Sequence, residues 1–251
     1  MQTDDESRRV AVVTGSGKGI GRAIALTFAR GGVLPIVVDI DEVAASEVVT
    51  EINEQGNASD YFLCDVSVVT QLKQCLADVF DRFGSVDILV NNAGILSTTP
   101  ITELDEAEWQ RVMDINLKSA VFATQAALTY MIPRKWGRII NISSMAGRMG
   151  GFDTGCAYSV SKAGMIGLTM RVARRVASEG ITVNAIAPGP TNTELVQGFT
   201  PEVRKGLIDG IPVGRVIEPE RIAETAAFLA SDAAEFITGA VIDVNGGMFM
   251  G

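Results

Sequence analysis

Residues 10–21 read Val-Ala-Val-Val-Thr-Gly-Ser-Gly-Lys-Gly-Ile-Gly, a strand pattern that runs into a glycine-rich loop just before helical periodicity begins. Glycine lets the backbone approach a pyrophosphate closely, and free N–H groups at the start of the helix then bind the anion. The spacing Gly15-x3-Gly19-x-Gly21 is therefore consistent with a dinucleotide site, although a plain tight turn also explains these glycines taken alone. Gly17-Lys18 lacks the Ser or Thr of a P-loop, which disfavours ATP hydrolysis.

An acidic residue stands at the end of the next predicted strand. Asp39 lies 18 positions beyond Gly21, close to the offset of about 20 residues at which a carboxylate meets the adenosine ribose hydroxyls. Because the same carboxylate would repel a 2′-phosphate, Asp39 predicts NAD(H) rather than NADP(H) as the preferred cofactor. The alternative is that Asp39 merely caps the helix that begins near Asp41.

Short apolar runs alternate along the chain with longer segments of helical period, the pattern of βαβ units around a parallel sheet. The predicted strands are Val10–Thr14, Leu34–Asp39, Tyr61–Cys64, Val86–Val90, Arg138–Ile142, Ile181–Ile186 and Val241–Val244. The predicted helices are Ile20–Arg30, Glu42–Gln55, Val68–Phe83, Asp105–Met131, Ala157–Ser178 and Pro219–Ala230. Right-handed crossovers then give an α/β doubly wound parallel sheet, the Rossmann fold, with helices on both faces.

No linker or repeat divides the chain, so residues 10–251 are predicted to form a single domain after a polar extension at residues 1–9. Residues 189–218 are rich in proline and glycine and hold a weak helical stretch at Glu202–Ile208. An insertion that follows a strand at the carboxyl edge of a sheet predicts a substrate lid, with an ordinary surface loop as the alternative.

Composition excludes several classes of function. The net charge of -9 disfavours binding to nucleic acid or to anionic membranes, so a small-molecule partner is expected. The chain has no histidine, which removes the commonest general base and zinc ligand, and no metal site is predicted. Three cysteines without a CxxC pair, and no signal peptide or bilayer-spanning segment, predict a cytoplasmic protein.

Further motifs follow in the order of the short-chain dehydrogenase/reductase family, which the chain resembles from about Val10 to its end. The motifs are the glycine loop, Asn91-Asn92-Ala93-Gly94, Asn116, Asn141-Ile142-Ser143-Ser144, Tyr158-x3-Lys162, Pro188-Gly189 with Thr193, and Asn245-Gly246-Gly247. The resemblance implies hydride transfer between a nicotinamide and a secondary alcohol or ketone. It also implies a catalytic tetrad of Asn116, Ser144, Tyr158 and Lys162, in which Asn116 serves a water relay from Lys162.

The residue types agree with that chemistry. Tyr158 and Lys162 share one helix face, and a nearby ammonium together with the positive ring of NAD+ favours the phenolate. Ser144 would donate a hydrogen bond to the substrate oxygen, and Ser143 is its rival for that position. The structural alternatives are a surface pair for Tyr158 and Lys162, and a buried Asn116 that bonds the backbone.

The resemblance also implies which residues hold the cofactor. They are Gly15, Gly17, Lys18, Gly19, Ile20, Gly21, Asp39, Ile40, Asp65, Val66, Asn92, Ala93, Gly94, Tyr158, Lys162, Pro188, Gly189, Thr191 and Thr193. Asp65 and Val66 would flank the adenine, with a helix cap as the alternative for Asp65. Lys18 is either a phosphate contact or a solvated loop charge.

The substrate itself is less well defined by sequence. The predicted pocket residues are Ser144, Met145, Phe152, Asp153, Leu195 and Phe199. We expect a free small alcohol such as a polyol, sugar, hydroxy acid or cyclic alcohol, with 3-oxoacyl-carrier-protein reduction as the alternative. A non-catalytic dinucleotide sensor is a further alternative, and apolar residues on more than one helix face, together with the resemblance, predict a homotetramer.

Overall fold

The computed structural model describes residues 8–198 and 200–251, so most of the predicted extension at residues 1–9 lies outside it. The strands are Val10–Thr14 (β1), Leu34–Asp39 (β2), Asp60–Leu63 (β3), Ile88–Asn91 (β4), Gly137–Ile142 (β5), Ile181–Pro188 (β6) and Val241–Val244 (β7). The α-helices are Gly19–Arg30 (α1), Glu42–Glu54 (α2), Val69–Phe83 (α3), Glu106–Met113 (α4), Ser119–Arg134 (α5), Met145–Met149 (α6), Cys156–Val176 (α7), Glu194–Gln197 (α8), Pro201–Asp209 (α9) and Pro219–Ala230 (α10).

The seven strands form one parallel sheet in the order β3-β2-β1-β4-β5-β6-β7. The chain leaves β1 toward β2 and later returns to place β4 on the other side of β1. Ligands of doubly wound sheets bind at such a switch point, outside the carboxyl ends of the strands. The α/β doubly wound fold predicted from the sequence is confirmed.

Helices cover both faces of the sheet and bury two apolar layers. On one face α3, α5 and α7 pack on strand residues through side chains such as Leu76 and Met131. On the other face α1 and α10 contribute Phe28 and Leu229. Truncating one such side chain to alanine typically costs 2–5 kcal/mol, so this core holds the strand ends rigidly beneath the site.

The segment predicted as one helix, Asp105–Met131, is interrupted. Between α4 and α5 the residues Asp114–Lys118 form a π-helical turn, closed by a hydrogen bond from the Ser119 N–H to the Asp114 carbonyl. Such a turn inserts one extra residue and is frequent at functional sites. It places the fully buried Asn116 inside the molecule, which a regular helical period does not foresee.

The predicted lid contains more helix than expected. Pro201–Asp209 extends the weak stretch, starts with a proline and is capped by the Thr200 hydroxyl. A small apolar cluster of Val196, Ile211 and Val216 packs this region onto Met248. No helix in residues 8–198 and 200–251 is both long and apolar enough to cross a lipid bilayer.

Candidate active site

The glycine loop after β1 is packed so closely on itself that two of its positions require glycine. Gly15 has a left-handed φ of +62°, and a Cβ there would lie 2.7 Å from the Ala93 Cα. A Cβ on Gly21 would lie 2.3 Å from the Gly15 carbonyl oxygen. The neighbouring Ile20 turns its side chain toward the apolar core, so only its backbone faces the loop.

Hydrogen bonds from two neighbouring strands hold this loop in place. The Asn92 side-chain amide donates to the carbonyl oxygens of Thr14 and Gly15 at 2.9 and 2.8 Å. The Ser16 hydroxyl donates to the Val13 carbonyl at 2.6 Å and accepts from the Val38 N–H at 3.1 Å. The loop is thereby preorganised across the switch point. Ser16 was not identified from the sequence, because a small polar residue inside a loop carries no distinctive signal.

Asp39 points its carboxylate back at the glycine loop. Oδ2 accepts from the Gly17 N–H at 2.8 Å, and Oδ1 accepts from the N–H groups of Ile40 and Asp41 at 2.8 and 3.0 Å. The cap of α2 is Asp41, whose side chain accepts from the Ala44 N–H. The capping alternative for Asp39 is therefore wrong. A carboxylate has about four acceptor positions, so three are used and about one is left on Oδ2.

Lys18, in the glycine loop, is exposed and pairs with Asp41 rather than with Asp39. Its Nζ is 3.2 Å from the Asp41 Oδ2. The hydrogen bond and charge of Asp41, followed by the charge of Glu194 and with a smaller contribution from Asp39, raise the Lys18 pKa. Lys18 therefore occupies a solvated ion pair at the edge of the loop.

Two predicted residues follow β3. Asp65 Oδ1 accepts from the backbone N–H and the hydroxyl of Ser67, at 2.9 and 2.7 Å, which forms a turn before α3. The N-cap residue of α3 is Val68, so Asp65 is not its cap. Val66 buries its side chain in the core and leaves only its backbone for a ligand, whereas Ile40, at the end of β2, is largely exposed.

The structure separates the two serines at the end of β5. The buried Ser143 hydroxyl donates to the Lys162 carbonyl at 2.8 Å. Ser144 caps α6 by accepting from the Ala146 N–H at 3.0 Å, and its side chain lies close enough to Tyr158 to lower the pKa of the phenol. Ser144 is thus the serine that meets the tyrosine, while Ser143 ties two elements together.

Tyr158 and Lys162 lie one helical turn apart in α7, with the Lys162 Nζ 5.8 Å from the Tyr158 ring centroid. Burial raises the pKa of the Tyr158 phenol, and the hydrogen bond from Ser144 opposes that shift. Burial lowers the pKa of Lys162 to about 8. The Lys162 ammonium donates to the Ile142 carbonyl at 2.8 Å. These two side chains are therefore not an exposed surface pair.

Asn116 is fully buried, and both N–H groups of its amide are bonded to protein. Its Oδ1 accepts from the Ile95 N–H at 2.8 Å, and Nδ2 donates to the Ile95 carbonyl and the Ser161 hydroxyl. Both Asn116 Oδ1 and Lys162 Nζ lie 3.3 Å from the point where a Cβ on Gly94 would stand. The amide thus lies beside the lysine but holds the backbone, as the structural alternative stated. The water relay stays a prediction.

Four predicted cofactor residues follow from the end of β6: Pro188, Gly189, Thr191 and Thr193. Gly189 packs so closely that a Cβ would lie 2.9 Å from the Asn245 Cα. The buried Thr191 hydroxyl donates to the Gly189 carbonyl at 3.0 Å. The Thr193 methyl lies 3.3 Å from a Cβ position on Gly19, so this segment closes the site opposite the glycine loop.

The predicted substrate pocket is only partly assembled by the described residues. Met145 is 7% exposed, which contradicts an open lining role for its side chain. Phe152, at 66% exposure, and Asp153 lie on the surface between α6 and α7. Phe199 and the side chain of Leu195 lie outside the described part of the chain.

Three basic side chains, in α6 and just before β5, have acidic partners within the chain. Arg148 pairs with Asp243 at 3.3 Å. Arg134 lies 3.6 Å from Asp87, and Lys135 forms an ion pair with Glu179. Both residues stand just before β5, at the sheet edge opposite the carboxyl ends that carry the candidate site.

A family model described as Enoyl-(Acyl carrier protein) reductase matches residues 15–249. The 3-oxoacyl-[acyl-carrier-protein] reductase FabG of Staphylococcus epidermidis is 42% identical over 243 residues, covering 96% of this chain and 98% of that protein. The chain belongs to the short-chain dehydrogenase/reductase family. It is therefore an oxidoreductase that acts on CH–OH groups and binds a nicotinamide dinucleotide.

Solved structures show the same fold. A protein provisionally assigned as a gluconate dehydrogenase from Agrobacterium tumefaciens is 36% identical, with a TM-score of 0.92 over 96% of this chain and 95% of that one. A provisionally assigned 2-deoxy-D-gluconate 3-dehydrogenase from the same organism, crystallised with NADP, is 35% identical with a TM-score of 0.88 over 96% of each chain. The curated relatives favour the carrier-protein reductase, which the sequence suggested as the alternative.

One residue of this short-chain dehydrogenase was missed by sequence reasoning although a signal was present. Ser161 is fully buried; it accepts from Asn116 and donates to the Tyr158 carbonyl at 2.7 Å. A polar residue three positions after Tyr158 faces a similar side of the helix, which would have indicated a shared role. Ser161 thereby connects the π-helical turn to the helix that carries Tyr158 and Lys162.

Proposed function

We propose that this short-chain dehydrogenase transfers hydride between NAD(H) and a secondary alcohol or ketone, with a 3-oxoacyl group as the first candidate substrate. The observation that carries the proposed chemistry is the convergence of Ser144, Tyr158 and Lys162 at the carboxyl edge of the sheet. Its position beside the switch point between β1 and β4 suits a dinucleotide laid across that edge.

The residues present fit a nicotinamide dinucleotide. The glycine loop presents backbone rather than side chains, and the start of α1 favours an anion such as the pyrophosphate. Asp39 would accept from the adenosine ribose through the acceptor position left on Oδ2. Thr193, opposite Gly19, would meet the carboxamide end. When bound, the nicotinamide accepts or supplies the hydride.

Ser144 and Tyr158 would handle the oxygen and the proton of the substrate. Ser144 donates a hydrogen bond to the substrate oxygen and stabilises the charge that develops there. Tyr158 takes the hydroxyl proton during oxidation and returns it during reduction. Oxidation therefore accelerates as the pH rises, because the phenolate is the active form in that direction.

Lys162 would lower the barrier to forming that phenolate. Burial raises the pKa of Tyr158, so positive charge nearby has to compensate. The ammonium of Lys162 provides part of it below a pH of about 8, where the lysine stays protonated. The positive nicotinamide ring of NAD+ supplies the rest.

The substrate class rests on the relatives, and a second candidate has its own support. Sequence identity of 42% to FabG proteins over nearly the whole chain supports a 3-oxoacyl group. Asp39 instead supports an NAD(H)-dependent oxidation of a sugar acid or polyol, the class named for the solved gluconate dehydrogenase relative.

A kinetic panel distinguishes the two candidates. Wild-type enzyme is assayed with a 3-oxobutanoyl thioester and NADH or NADPH, and with sugar acids and polyols and NAD+ or NADP+. The proposal predicts the highest kcat/KM for the thioester with NADH. A higher value for a sugar acid or polyol would establish the second candidate, and no turnover of either class would refute both substrate assignments.

We also propose that the enzyme is a homotetramer. A surface depression of about 410 Å³ lies on the outer faces of α4 and α5. Its lining is Trp109, Gln110, Met113, Asp114, Leu117, Lys118, Val121 and Phe122. Exposed Val160 and Met170 on α7 add apolar surface. Light scattering at micromolar concentration should give four times the chain mass, and a monomer mass would refute the proposal.

A further inference from the structure

Glu108, in the first turn of α4, joins the helix to the loop after β4. Its Oε1 accepts from the Ser97 hydroxyl at 2.6 Å, and its Oε2 accepts from the Thr99 hydroxyl at 2.7 Å. These bonds favour the charged form and lower the pKa of Glu108. The carboxylate therefore binds two hydroxyls of the loop after β4, those of Ser97 and Thr99.

The position of Glu108 suggests a simpler role, which its contacts do not bear out. Asp105-x-x-Glu108 matches the spacing of a capping box, in which the second acid bonds back to the N-cap backbone N–H. Asp105 does cap α4, since its side chain accepts from the Glu108 N–H at 2.7 Å. Within the described residues, the Glu108 carboxylate instead accepts hydrogen bonds from the hydroxyls of Ser97 and Thr99.

The loop that Glu108 holds adjoins Lys162 at one end and bonds the start of the Tyr158 helix further along. Next to Gly94, which adjoins Lys162, the backbone of Ile95 is clamped by Asn116. Further along, the Ser97 carbonyl accepts from the Gly155 N–H at 2.7 Å. Gly155 is the N-cap residue of α7, three positions before Tyr158.

The fit between loop and helix is tight. A Cβ on Gly155 would lie 2.8 Å from the Ser97 Oγ and 2.9 Å from the Thr99 carbonyl oxygen. Ser97 is 5% exposed, so its hydroxyl has little access to water if the carboxylate is removed. Losing Glu108 would then leave a buried hydroxyl without its acceptor and release the loop.

We propose that Glu108 is a positioning residue, which acts through Ser97 and Thr99 to fix the loop against Lys162 and against the start of the helix that carries Tyr158. The cofactor side of the cleft is held separately, by Asn92 and Ser16 on the glycine loop. Losing Glu108 should therefore impair the binding and turnover of the alcohol or ketone far more than the binding of the dinucleotide. The inference rests on the proposed roles of Tyr158 and Lys162 but not on the substrate class.

The test measures KM and kcat for the best substrate of the wild-type enzyme in matched variants. Glu108→Ala should raise the substrate KM about tenfold and lower kcat, because misplaced reacting groups lose rate steeply. The cofactor KM should stay within about twofold of wild type, since the glycine loop and Asp39 are held by hydrogen bonds that do not involve Glu108. Asp105→Ala removes only the helix cap and should leave both KM values unchanged.

Glu108→Gln should recover most of the loss, because its amide keeps one acceptor and offers a donor to the other hydroxyl. If Glu108→Ala does not fold, Ser97→Ala with Thr99→Val should reproduce the KM pattern. Equal effects on substrate and cofactor, kinetics like those of Asp105→Ala, or no rescue by glutamine would overturn the proposal. Failure of the proposed catalytic roles would appear separately, as an active Tyr158→Phe variant.

Discussion

Cofactor preference depends on the single acceptor position left on Asp39. A hydrogen bond from a ribose hydroxyl to a charged acceptor contributes roughly 1.5 to 3 kcal/mol. A 2′-phosphate about 4 Å from the carboxylate would cost on the order of 4 kcal/mol at an effective dielectric near 20. Lys18 offsets little of this cost, because it is exposed and already paired with Asp41. The proposed net preference for NAD(H) is therefore expected to be at least about a hundredfold.

Steady-state kinetics with both cofactors measures this preference as a ratio of kcat/KM values. Asp39→Ala should reduce kcat/KM for NAD+ by about tenfold or more and narrow the ratio. Asp41→Ala is the matched control, because it removes a neighbouring carboxylate and a helix cap without touching the ribose position. The control should change the ratio by less than about tenfold. A wild-type preference for NADP+, or an unchanged ratio in Asp39→Ala, would refute this reasoning.

Three further substitutions test the site. Ser144→Ala should lower kcat by about 10²- to 10³-fold, whereas Ser143→Ala should cost about 1 kcal/mol of stability and little activity; equal kcat losses would contradict the assignment. Lys162→Met should abolish most activity yet raise the free energy of unfolding at pH 7 by about 1–3 kcal/mol, because burial lowers the lysine pKa to about 8. Between pH 8 and 10.5 the lysine binds more protons in the unfolded state than in the folded state, so the free energy of unfolding of the wild type rises with pH. Denaturant titrations should therefore show the stability advantage of Lys162→Met shrinking as the pH rises across this window. Gly21→Ala should lower the free energy of unfolding by about 1–3 kcal/mol and weaken cofactor binding. Gly167→Ala is the control, because a Cβ there meets nothing within 4 Å. Similar melting temperatures for the two variants would contradict this prediction.

The sheet and most helices could be predicted because their signals are local. Apolar runs such as Leu34–Asp39 keep their bounds in the structure, since a strand covered on both faces needs little else. The strand β4 begins at Ile88 rather than at the predicted Val86, and the Asp87 carboxylate just before it accepts from the Val10 N–H and the Ser85 hydroxyl. The five-residue helix α6 was missed because so short a segment has no measurable period.

The site required tertiary information where neighbouring residues are chemically alike. Ser143 and Ser144 are identical side chains that point in different directions just after β5. Their contacts decide their roles, because Ser143 bonds the Lys162 carbonyl whereas Ser144 lies beside Tyr158. The π-helical turn at Asn116 depends on partners in a distant loop and helix, so periodicity alone predicts a continuous helix.

The most direct test of the proposed chemistry compares wild-type enzyme with Tyr158→Phe. The phenylalanine keeps the packing of the half-buried ring but removes the hydroxyl that lies beside Ser144. NADH binding, followed by fluorescence, should therefore stay within about twofold of wild type, while kcat falls by about 10²- to 10⁴-fold through loss of the acid and base. Turnover within about tenfold of wild type would contradict the assignment of Tyr158 as the group that moves the proton.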